Sequence, residues 1–353
     1  MKYSFIIPVY NRPDEVDELL ESFTTQTVKP FEIIIIEDGS TRPCSDVCDK
    51  YKERLPLAYY MQENGGPSAA RNYGVSVAHG DYVVFLDSDC VLPPGYVKAI
   101  DDELTGNACD AFGGADAAHE SFTDTQKAIS YSMTSFFTTG GIRGGKKKLD
   151  KFYPRSFNMG MRRNVFDALK GFSKMRFGED IDFSYRIFEN GYTCRLFPEA
   201  WVWHKRRTDI KKFFKQVFNS GIARINLEKR HPHSMKLVHL LPMVFTVGVI
   251  FLLLLSASLG TAYALQAGCG TSCAGTLCIC QLWWAPLVPI VLYSLLIFCD
   301  SSRQNGSIKI GALSVVAAFV QLGGYGLGFL KAWWLRCVLG KSEFAAFEKN
   351  FYD

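Results

Sequence analysis

One long stretch of this chain carries no acidic or basic side chain except histidine, and it divides the sequence into two parts. Residues 237–299 contain no Asp, Glu, Lys or Arg, and an apolar run of about 18 or more residues is typical of a transmembrane helix. Residues 1–236 have the mixed composition of a soluble α/β protein. We therefore expect one domain at residues 1–235 and a membrane domain at 236–353, with spans at about 237–262, 282–299 and 310–330.

The residues just before the uncharged stretch are strongly basic. Between His204 and Lys236 there are ten Lys or Arg residues and two acids, a pattern that suits anionic lipid headgroups on the cytoplasmic side of a membrane. The apolar run at residues 5–9 is too short for a signal peptide. We expect an integral, multi-pass protein of the cell inner membrane with a cytoplasmic first domain. Nucleic acid is not an expected partner, because the basic residues adjoin a span and no nucleic-acid-binding motif accompanies them.

The third apolar segment conflicts with this orientation. A full span at residues 310–330 would place a basic tail, which includes Lys331, Arg336 and Lys341, on the opposite side of the membrane. Either this segment is re-entrant or interfacial, or the positive-inside rule is overridden. Four cysteines at residues 269–280 would lie on the outer side, where disulfides can form.

The strand predicted at residues 82–86 ends in two carboxylates. Its apolar and aromatic residues lead directly into Asp87, Ser88 and Asp89, as in a strand that is buried on both faces. Ligands collect at the carboxyl ends of strands in open α/β sheets, and two neighbouring carboxylates suit Mg²⁺ or Mn²⁺. The alternative is that both acids are solvated loop residues that cap the next helix.

Strand and helix patterns alternate along the amino-terminal part of the chain. Strands are predicted at residues 3–9, 31–36, 58–61 and 82–86, and helices at 13–26, 44–54 and 68–78. This order predicts an α/β fold with a mostly parallel sheet and helices on both faces. No Gly-x-Gly-x-x-Gly turn follows the first strand, which disfavours a dinucleotide-binding fold. The strand ends bring Glu37, Asp38, Asp87 and Asp89 to one rim of the sheet.

Five short motifs follow one another along the chain. They are FIIPVYNR at residues 5–12, IEDGST at 36–41, NGGPSAARNYG at 64–74, DYVVFLDSD at 81–89, and GF at 171–172 with GEDIDF at 178–183. In order and spacing they resemble the family-2 glycosyltransferases of the GT-A fold, over about residues 1–230. The resemblance implies an inverting, membrane-anchored enzyme with a nucleotide-diphosphate sugar as donor and a divalent metal, Mn²⁺ or Mg²⁺, as cofactor.

The resemblance assigns the nucleotide to residues at two strand ends and one helix. Pro8, Val9 and Tyr10 would line the pocket of the base, and Asp38 would accept a hydrogen bond from it. Arg71, near the start of the third predicted helix, would contact the diphosphate or the base side.

The metal is assigned by the same resemblance to the end of the fourth strand. Asp89 would ligate the cation, Asp87 would contact the ribose or a metal-bound water, and Ser88 between them needs only to be small. His204, which ends an aromatic strand at residues 201–204, would complete the metal or diphosphate site.

The acceptor is assigned to the motif at residues 178–183. Asp180 resembles the family's general base, which takes the proton of the acceptor hydroxyl, and one in-line displacement then inverts the anomeric carbon. Glu179 and Asp182 would support it and hold acceptor hydroxyls. The Gly- and Lys-rich residues 140–148 are either a mobile flap over the site or a plain loop.

Each of these roles has a structural alternative. Asp38 could serve only the chemistry of its Asp-Gly-Ser turn. Arg71 could be a surface arginine that pairs with an acid, and Glu37 could be its buried partner. Asp180 could be a helix N-cap, and His204 could be hydrogen-bonded for structure alone.

Taken together, these features predict transfer of a single sugar to a lipid-linked or envelope glycan acceptor at the cytoplasmic face of a membrane. Residues 216–221 lack the Arg and Trp of the Gln-x-x-Arg-Trp motif of processive synthases. The main alternative is a catalytically inactive, membrane-bound nucleotide-sugar-binding or scaffold protein. A nucleotidyltransferase is disfavoured because residues 8–15 contain no Gly-rich phosphate loop with a Lys.

Overall fold

The computed structural model describes residues 2–28, 31–117, 122–139, 152–175, 177–205, 209–268 and 279–343. The predicted flap at 140–148 and three of the four clustered cysteines, at positions 269, 273 and 278, lie outside the described residues.

The amino-terminal part alternates strands and helices, as the sequence pattern predicts. Its elements are β1 (Tyr3–Val9), α1 (Pro13–Thr24), β2 (Phe31–Asp38), α2 (Ser45–Tyr51), β3 (Leu57–Gln62), α3 (Pro67–Ser76) and β4 (Tyr82–Leu86). The predicted bounds of β1 and β4 are confirmed. β2 continues past its predicted end because Glu37 and Asp38 pair with Met61 and Gln62 of β3. The helices are shorter than predicted by one or more residues at their carboxyl ends.

The rest of the chain completes the sheet and then becomes helical. The elements are β5 (Cys90–Val91), α4 (Tyr96–Gly106), β6 (Ala111–Ala117), α5 (Asp124–Thr134), α6 (Phe136–Thr139), β7 (Asn158–Arg162), α7 (Arg163–Ala168), α8 (Glu179–Glu189), β8 (Cys194–His204), α9 (Ile210–Arg230), α10 (Leu241–Gly268), α11 (Val288–Asn305) and α12 (Ile308–Trp333).

The eight strands form one mixed sheet in the order β3-β2-β1-β4-β7-β6-β8-β5. β3, β2, β1 and β4 are parallel to one another. β7 is antiparallel to β4 and β6, β8 is parallel to β6, and β5 is antiparallel to β8. Alternate residues of β1 enter two separate cores, since Phe5 packs on one face of the sheet and Ile6 on the other. Helices therefore cover both faces, which explains why the central strands are continuously apolar.

Three carboxyl-terminal segments are long and apolar enough to cross a membrane. They are Leu237–Gln266, Cys280–Asn305 and Ile308–Val338, with mean hydropathies of 2.5, 2.0 and 1.7. Each of these segments contains one of the three candidate spans predicted from the sequence, and whether each crosses a membrane stays a prediction.

Candidate active site

The carboxyl ends of β1, β2 and β4 meet at one rim of the sheet, and the amino terminus of α8 lies beside them. β4 ends at Leu86, and the chain then turns, with the amide of Cys90 donating to the carbonyl oxygen of Asp87 at 3.1 Å. This turn holds Asp87 and Asp89 at the rim.

Arg71 is the buried cation of this rim. Its side chain is 3% exposed. Nη2 donates to Asp87 Oδ1 at 2.8 Å, and Nη1 donates to Glu179 Oε1 at 3.2 Å. Burial alone would lower the pKa of Arg71, but the carboxylates of Asp87 and Glu179 raise it, so the guanidinium stays charged. Arg71 is therefore not a surface arginine.

Glu37 is not the partner of Arg71, contrary to one alternative from the sequence. It is fully buried, and its Oε2 accepts from the amide of Cys44 at 2.7 Å and from Tyr59 Oη at 3.3 Å, while Oε1 accepts from Ser40 Oγ. Glu37 lies in β2, so its carboxylate is hydrogen-bonded by residues of the turn before α2 and of the adjacent β3.

Glu179 begins α8 and closes the network around Arg71. Burial and the neighbouring charge of Asp180 raise the pKa of Glu179 to about 7, against the opposing effect of Arg71. A carboxyl group with a pKa near neutrality at a rim of acids is typical of functional sites.

Asp180 lies in the first turn of α8 and is not its N-cap. The N-cap is Gly178, which has φ +85° and lies against α9, where an added Cβ would come 3.2 Å from Ala223 Cβ. Asp180 Oδ2 forms an ion pair with Arg155, whose Nε lies 2.8 Å away, and Oδ1 accepts from the amide of Ile181 at 2.8 Å. The N-cap alternative for Asp180 is wrong, because glycine takes the left-handed conformation that the turn requires.

Asp182 faces away from the rim, which corrects its predicted contact with acceptor hydroxyls. It is 2% exposed, and its carboxylate accepts from Ser173 Oγ at 2.7 Å and from Arg186 Nε at 3.0 Å, and it lies 3.0 Å from His231 Nε2. Being two residues after Asp180 on a helix, it points to a different face of α8. Its role is to join α8 to the end of α9.

A second cluster forms where β5 meets β8. Cys90 pairs with His204 across these two strands, and His204 Nε2 lies 3.2 Å from Asp89 Oδ1. Ligand atoms of Asp89, Cys90 and His204 lie within 4.8 Å of one another. The structure therefore brings His204 to Asp89.

Two members of this cluster fit a divalent metal. The carboxylate of Asp89 and the imidazole of His204 are ligands that Mn²⁺ accepts. Burial raises the pKa of the Cys90 thiol well above its ordinary value, and a protonated thiol is a poor ligand. Mg²⁺ or Mn²⁺ would thus be held by oxygen and nitrogen donors rather than by sulfur.

Arg12 also forms an ion pair with Asp89. Its Nη1 donates to Asp89 Oδ2. Burial alone would lower the pKa of Arg12, but the carboxylate of Asp89 outweighs burial, and the pKa is raised overall. Arg12 and Asp89 are therefore a charged pair. Arg12 neutralises the predicted metal ligand in the structure described.

The residues predicted to line the base pocket lie at the ends of β1 and β2. Val9 is buried in the core, whereas Pro8 and Tyr10 are partly exposed. Asp38 is fully buried, and its carboxylate accepts from the amides of Gly65 and Gly66, each at 2.8 Å. Ser88 is buried between Asp87 and Asp89. For Asp38, Gln62 Nε2 is a third donor, at 2.7 Å. Asp38 thus anchors the loop before α3, and its contact with a base stays a prediction.

Sequence reasoning missed Arg12, Arg155 and Cys90 as members of the site. Arg12 lies within the motif at residues 5–12, but its acid partner is far away in the chain. Arg155 lies outside all five motifs, so the sequence carries no signal for its contact with Asp180.

Comparisons with known proteins agree with this geometry. Residues 4–170 match the family described as Glycosyl transferase family 2. An uncharacterized glycosyltransferase of Rickettsia felis is 37% identical over 137 residues, which are 39% of this chain and 22% of that protein. A poly(ribitol-phosphate) beta-glucosyltransferase of Bacillus spizizenii is 38% identical over 94 residues, which are 25% of this chain and 15% of that protein. The matches thus take in less than a quarter of either relative.

A solved structure extends the similarity to most of the fold. The mannosyltransferase PcManGT of Pyrobaculum calidifontis, in complex with GDP-Man and Mn²⁺, aligns with a TM-score of 0.57 at 17% identity. The alignment covers 91% of this chain and 86% of that one. Residues 4–170 therefore match the Glycosyl transferase family 2 model, the fold is GT-A-like, and three helices that could span a membrane follow.

Proposed function

We propose that the chain is an inverting glycosyltransferase that moves one sugar from a nucleotide-diphosphate sugar to a lipid-linked or envelope glycan acceptor at the cytoplasmic face of a membrane. One observation carries the proposal. Asp87, Asp89, Glu179 and Asp180 converge at one rim of the sheet, with the buried Arg71 joining two of them. Four carboxylates so close together have a chemical role more readily than a packing role.

On the donor side, the chain supplies two candidate metal ligands, Asp89 and His204, and two arginines, Arg12 and Arg71. Asp89 and His204 would hold the metal, and a bound divalent cation supplies positive charge that stabilises the departing nucleoside diphosphate. Arg12, which pairs with Asp89, would be available as a donor to a phosphate oxygen if Asp89 held the cation. Arg71 fixes Asp87, which then presents its second oxygen to the ribose.

On the acceptor side, Asp180 acts as the general base. The acceptor hydroxyl would displace Arg155 from Asp180 Oδ2 and place its proton there. The acceptor oxygen attacks the anomeric carbon from the face opposite the leaving group, so the bond to the diphosphate breaks and the configuration inverts. The hydrogen bond from the amide of Ile181 to Oδ1 keeps the carboxylate oriented.

The acceptor class is inferred from what surrounds α8. Gly178, which precedes the proposed base, lies against Ala223 and Leu227 of α9, and α9 leads directly into the first apolar helix. An acceptor held in a membrane would reach Asp180 from this side. The Bacillus spizizenii relative, named for a poly(ribitol-phosphate) substrate, supports an envelope glycan as the other acceptor class.

The test is donor consumption by the full chain in lipid vesicles with Mn²⁺. UDP-, GDP-, CDP- and dTDP-sugars are supplied in turn, each with a polyprenyl phosphate or an envelope glycan, and the released diphosphate is measured. One donor class should be consumed with inversion. Asp180→Asn should lower the rate by roughly 10²–10⁴-fold while donor binding is retained, whereas Asp102→Asn, at an exposed acid of α4, should not.

Two outcomes would contradict the proposal. Equal rates for Asp180→Asn and Asp102→Asn would remove Asp180 as the base. Nucleotide binding without consumption of any donor would favour the inactive, membrane-bound nucleotide-sugar-binding or scaffold protein.

A further inference from the structure

The third apolar helix differs from the other two in what surrounds it. In its most apolar window 44% of the residues are buried in the protein, against 6% in each of the other two candidate spans. The neighbours that bury α12 include α9 and α5, which belong to the part of the chain that carries the glycosyltransferase site. A helix that crosses a bilayer would not have soluble-domain helices along its length.

α9 lies alongside α12 at close range. An added Cβ at Gly221 of α9 would clash with the carbonyl oxygen of Tyr325, and one at Gly328 of α12 would clash with that of Phe218. Further along, Arg336 Nη1 donates to Asn226 Oδ1 at 2.9 Å. Gly324 of α12 lies against Val217 of α9, Gly328 against Phe218, and Arg336 against Asn226. These contacts advance in the same direction along both helices, so the two run side by side. α9 is basic, with Lys211, Lys212, Lys215, Lys229 and Arg230 among its residues, which the hydrocarbon core of a bilayer would not accept.

Both ends of α12 are joined to the glycosyltransferase domain by charged groups. Before the first turn is complete, Lys309 Nζ lies 2.8 Å from Asp124 Oδ2 of α5. Beyond the last turn, Arg230 Nη2 of α9 lies 3.0 Å from Glu343 Oε2. Such exposed pairs add little stability, but they fix position, because a pair of this kind cannot form across a bilayer. The two ends of α12 therefore lie on the same side.

α12 meets the other two apolar helices near their domain-side ends. Thr246, in the first turns of α10, donates to the carbonyl oxygen of Leu322 at 3.2 Å, and Ser301, near the end of α11, lies 2.7 Å from Ser314. The outer part of α10 is open, with Phe251 61% and Leu254 63% exposed. α10 and α11 thus project away from α12 as a hairpin.

The outward face of α12 is apolar and has basic residues near it. Val316 and Leu327 of α12 are each at least 40% exposed, and so are Trp334 and Val338 of the π-helical turn Trp334–Val338 that continues it. Their spacings place all four on one side of the continuous helix. Lys331 lies on the same side by the same spacing. An apolar stripe with Trp and Lys is typical of a helix that lies in the membrane interface.

We propose that α12 lies in the plane of the membrane interface, on the side of the glycosyltransferase domain, and that its outward stripe of Val316, Leu327, Trp334 and Val338 contacts the lipid surface of that leaflet. Of the three candidate spans in the described part of the chain, α10 and α11 cross the bilayer. The carboxyl-terminal tail then stays on the domain side, and its Lys331, Arg336 and Lys341 no longer conflict with the positive-inside rule.

This arrangement also sets the distance between the acceptor site and the membrane surface. α9 contacts α12 on one side and Gly178 on the other, so the amino terminus of α8 lies one helix above the lipid headgroups. This consequence for the acceptor rests on the proposed function, whereas the placement of α12 does not.

The test compares the bilayer depth of two positions on the stripe of the full chain in lipid vesicles. Nitroxide labels on Val316→Cys and Leu327→Cys are measured by power saturation with oxygen and a water-soluble nickel complex, with Leu254→Cys of α10 as the deep control. An interfacial α12 places both stripe labels at one shallow depth, well above Leu254→Cys. A spanning α12 places them roughly 16 Å apart along the membrane normal, and that result would overturn the proposal.

A second measurement needs no stripe variant and no activity. An epitope tag after Asp353 is probed with protease in sealed vesicles of both orientations, beside tags inserted at Lys52 of the domain and at Ala264 near the far end of α10. The terminal tag should be cut from the same face as the tag at Lys52. Cleavage from the face of Ala264, or only after detergent is added, would place α12 across or within the bilayer and overturn the proposal. Neither readout depends on sugar transfer, so failure of this proposal is distinguishable from failure of the proposed function.

Discussion

Arg71 holds two carboxylates of the rim, and both depend on its charge. Asp87 and Glu179 are its direct partners at 2.8 and 3.2 Å, and the charge of Asp180 also raises its pKa. The face of its guanidinium lies 5.5 Å from the ring centroid of Phe172. A buried charge with this many partners is costly to remove, because Glu179, whose side chain is 14% exposed, is left beside Asp87 and Asp180 without a cation.

We expect Arg71→Met to lower the free energy of unfolding by about 3–5 kcal/mol, because it leaves Asp87 and Glu179 without their cation. Denaturant unfolding of the full chain in detergent measures the loss. The matched control is Arg54→Met, an exposed arginine that pairs with Glu21 at 3.2 Å, where about 0–1 kcal/mol is expected. Equal losses in the two variants would show that the Arg71 network contributes nothing beyond an ordinary surface pair.

Arg12 and a metal compete for Asp89. We expect Arg12→Gln to bind Mn²⁺ roughly fivefold more tightly without nucleotide, which corresponds to about 1 kcal/mol for the displaced pair. The electron paramagnetic resonance signal of free Mn²⁺ reports binding directly. Arg42→Gln, whose side chain is exposed and 3.7 Å from Asp14, should bind Mn²⁺ as the wild type does. Unchanged or weaker binding in Arg12→Gln would mean that Arg12 is not in the way of the metal.

Glu179 gives the stability of the fold a pH dependence of predictable sign. Burial, with the charge of Asp180, raises its pKa from 4.5 to about 7 on folding. Between these values the folded chain holds a proton that the unfolded chain has released, so the free energy of unfolding falls as the pH rises.

Glu179→Gln cannot titrate, so we expect its Tm to rise relative to that of the wild type between pH 5 and pH 8, which bracket this window. Tm values in detergent at the two pH values give the comparison. Glu53→Gln, at an exposed carboxyl of the loop after α2, should follow the wild type at both. A difference between Glu179→Gln and wild type that does not change with pH would exclude the raised pKa.

At the scale of elements, the contact of α9 with α12 depends on glycine. Gly328 faces Phe218 of α9, where an added Cβ would clash with backbone, whereas Gly323 on the same helix has nothing within 4 Å of such a Cβ. The two positions form a matched pair in one helix.

We expect Gly328→Ala to lower the Tm of the full chain in detergent, because the added methyl group pushes α9 away from α12. Gly323→Ala should leave the Tm unchanged or raise it, since alanine is the better helix former by about 1 kcal/mol. A rise of the Tm in both variants would mean that α9 does not approach α12 closely.

The elements that the sequence predicts best are those whose signal is local. β4 is a run of five buried residues between Gly80 and Asp87, and nothing nearby competes with the pattern. The end of β2 was less predictable, because Glu37 and Asp38 extend it only through their pairing with β3. The alternative that Asp180 is the N-cap of α8 failed for a similar reason, since Gly178 takes that position in a left-handed conformation beside α9.

At the scale of the whole molecule, sequence patterns predicted the order of the strands and helices along the chain but not the contacts between elements that are distant in sequence. The rim acids were found because carboxyl ends of parallel strands meet. The partners Arg12 and Arg155 were not found, because each is far in sequence from the acid that it contacts, and local sequence patterns do not reveal such contacts. The conflict between the basic tail and a third span was visible in the sequence, and the contacts of α12 with α5 and α9 support the proposal that α12 is interfacial.

One of the connections between the two halves of the molecule is a stack of helices that starts at the rim of the sheet. α8 carries Glu179 and Asp180, α9 lies against Gly178, and α12 lies against α9. In the proposed placement of α12, this stack holds the rim of the sheet at a constant height above the lipid. This geometry suits an enzyme whose acceptor is fixed to a membrane and whose donor is soluble.

The central claim is that Asp89 belongs to a metal-dependent site for a nucleotide diphosphate. The most direct measurement is the Tm of the purified full chain in detergent with Mn²⁺ and UDP, GDP, CDP or dTDP, beside Asp89→Asn and the exposed-acid control Asp49→Asn. Because ligand that binds only the folded state raises the Tm, we predict a rise with one diphosphate that requires Mn²⁺, persists in Asp49→Asn and is lost in Asp89→Asn. No rise with any of the four diphosphates, or an equal rise in Asp89→Asn, would contradict the account.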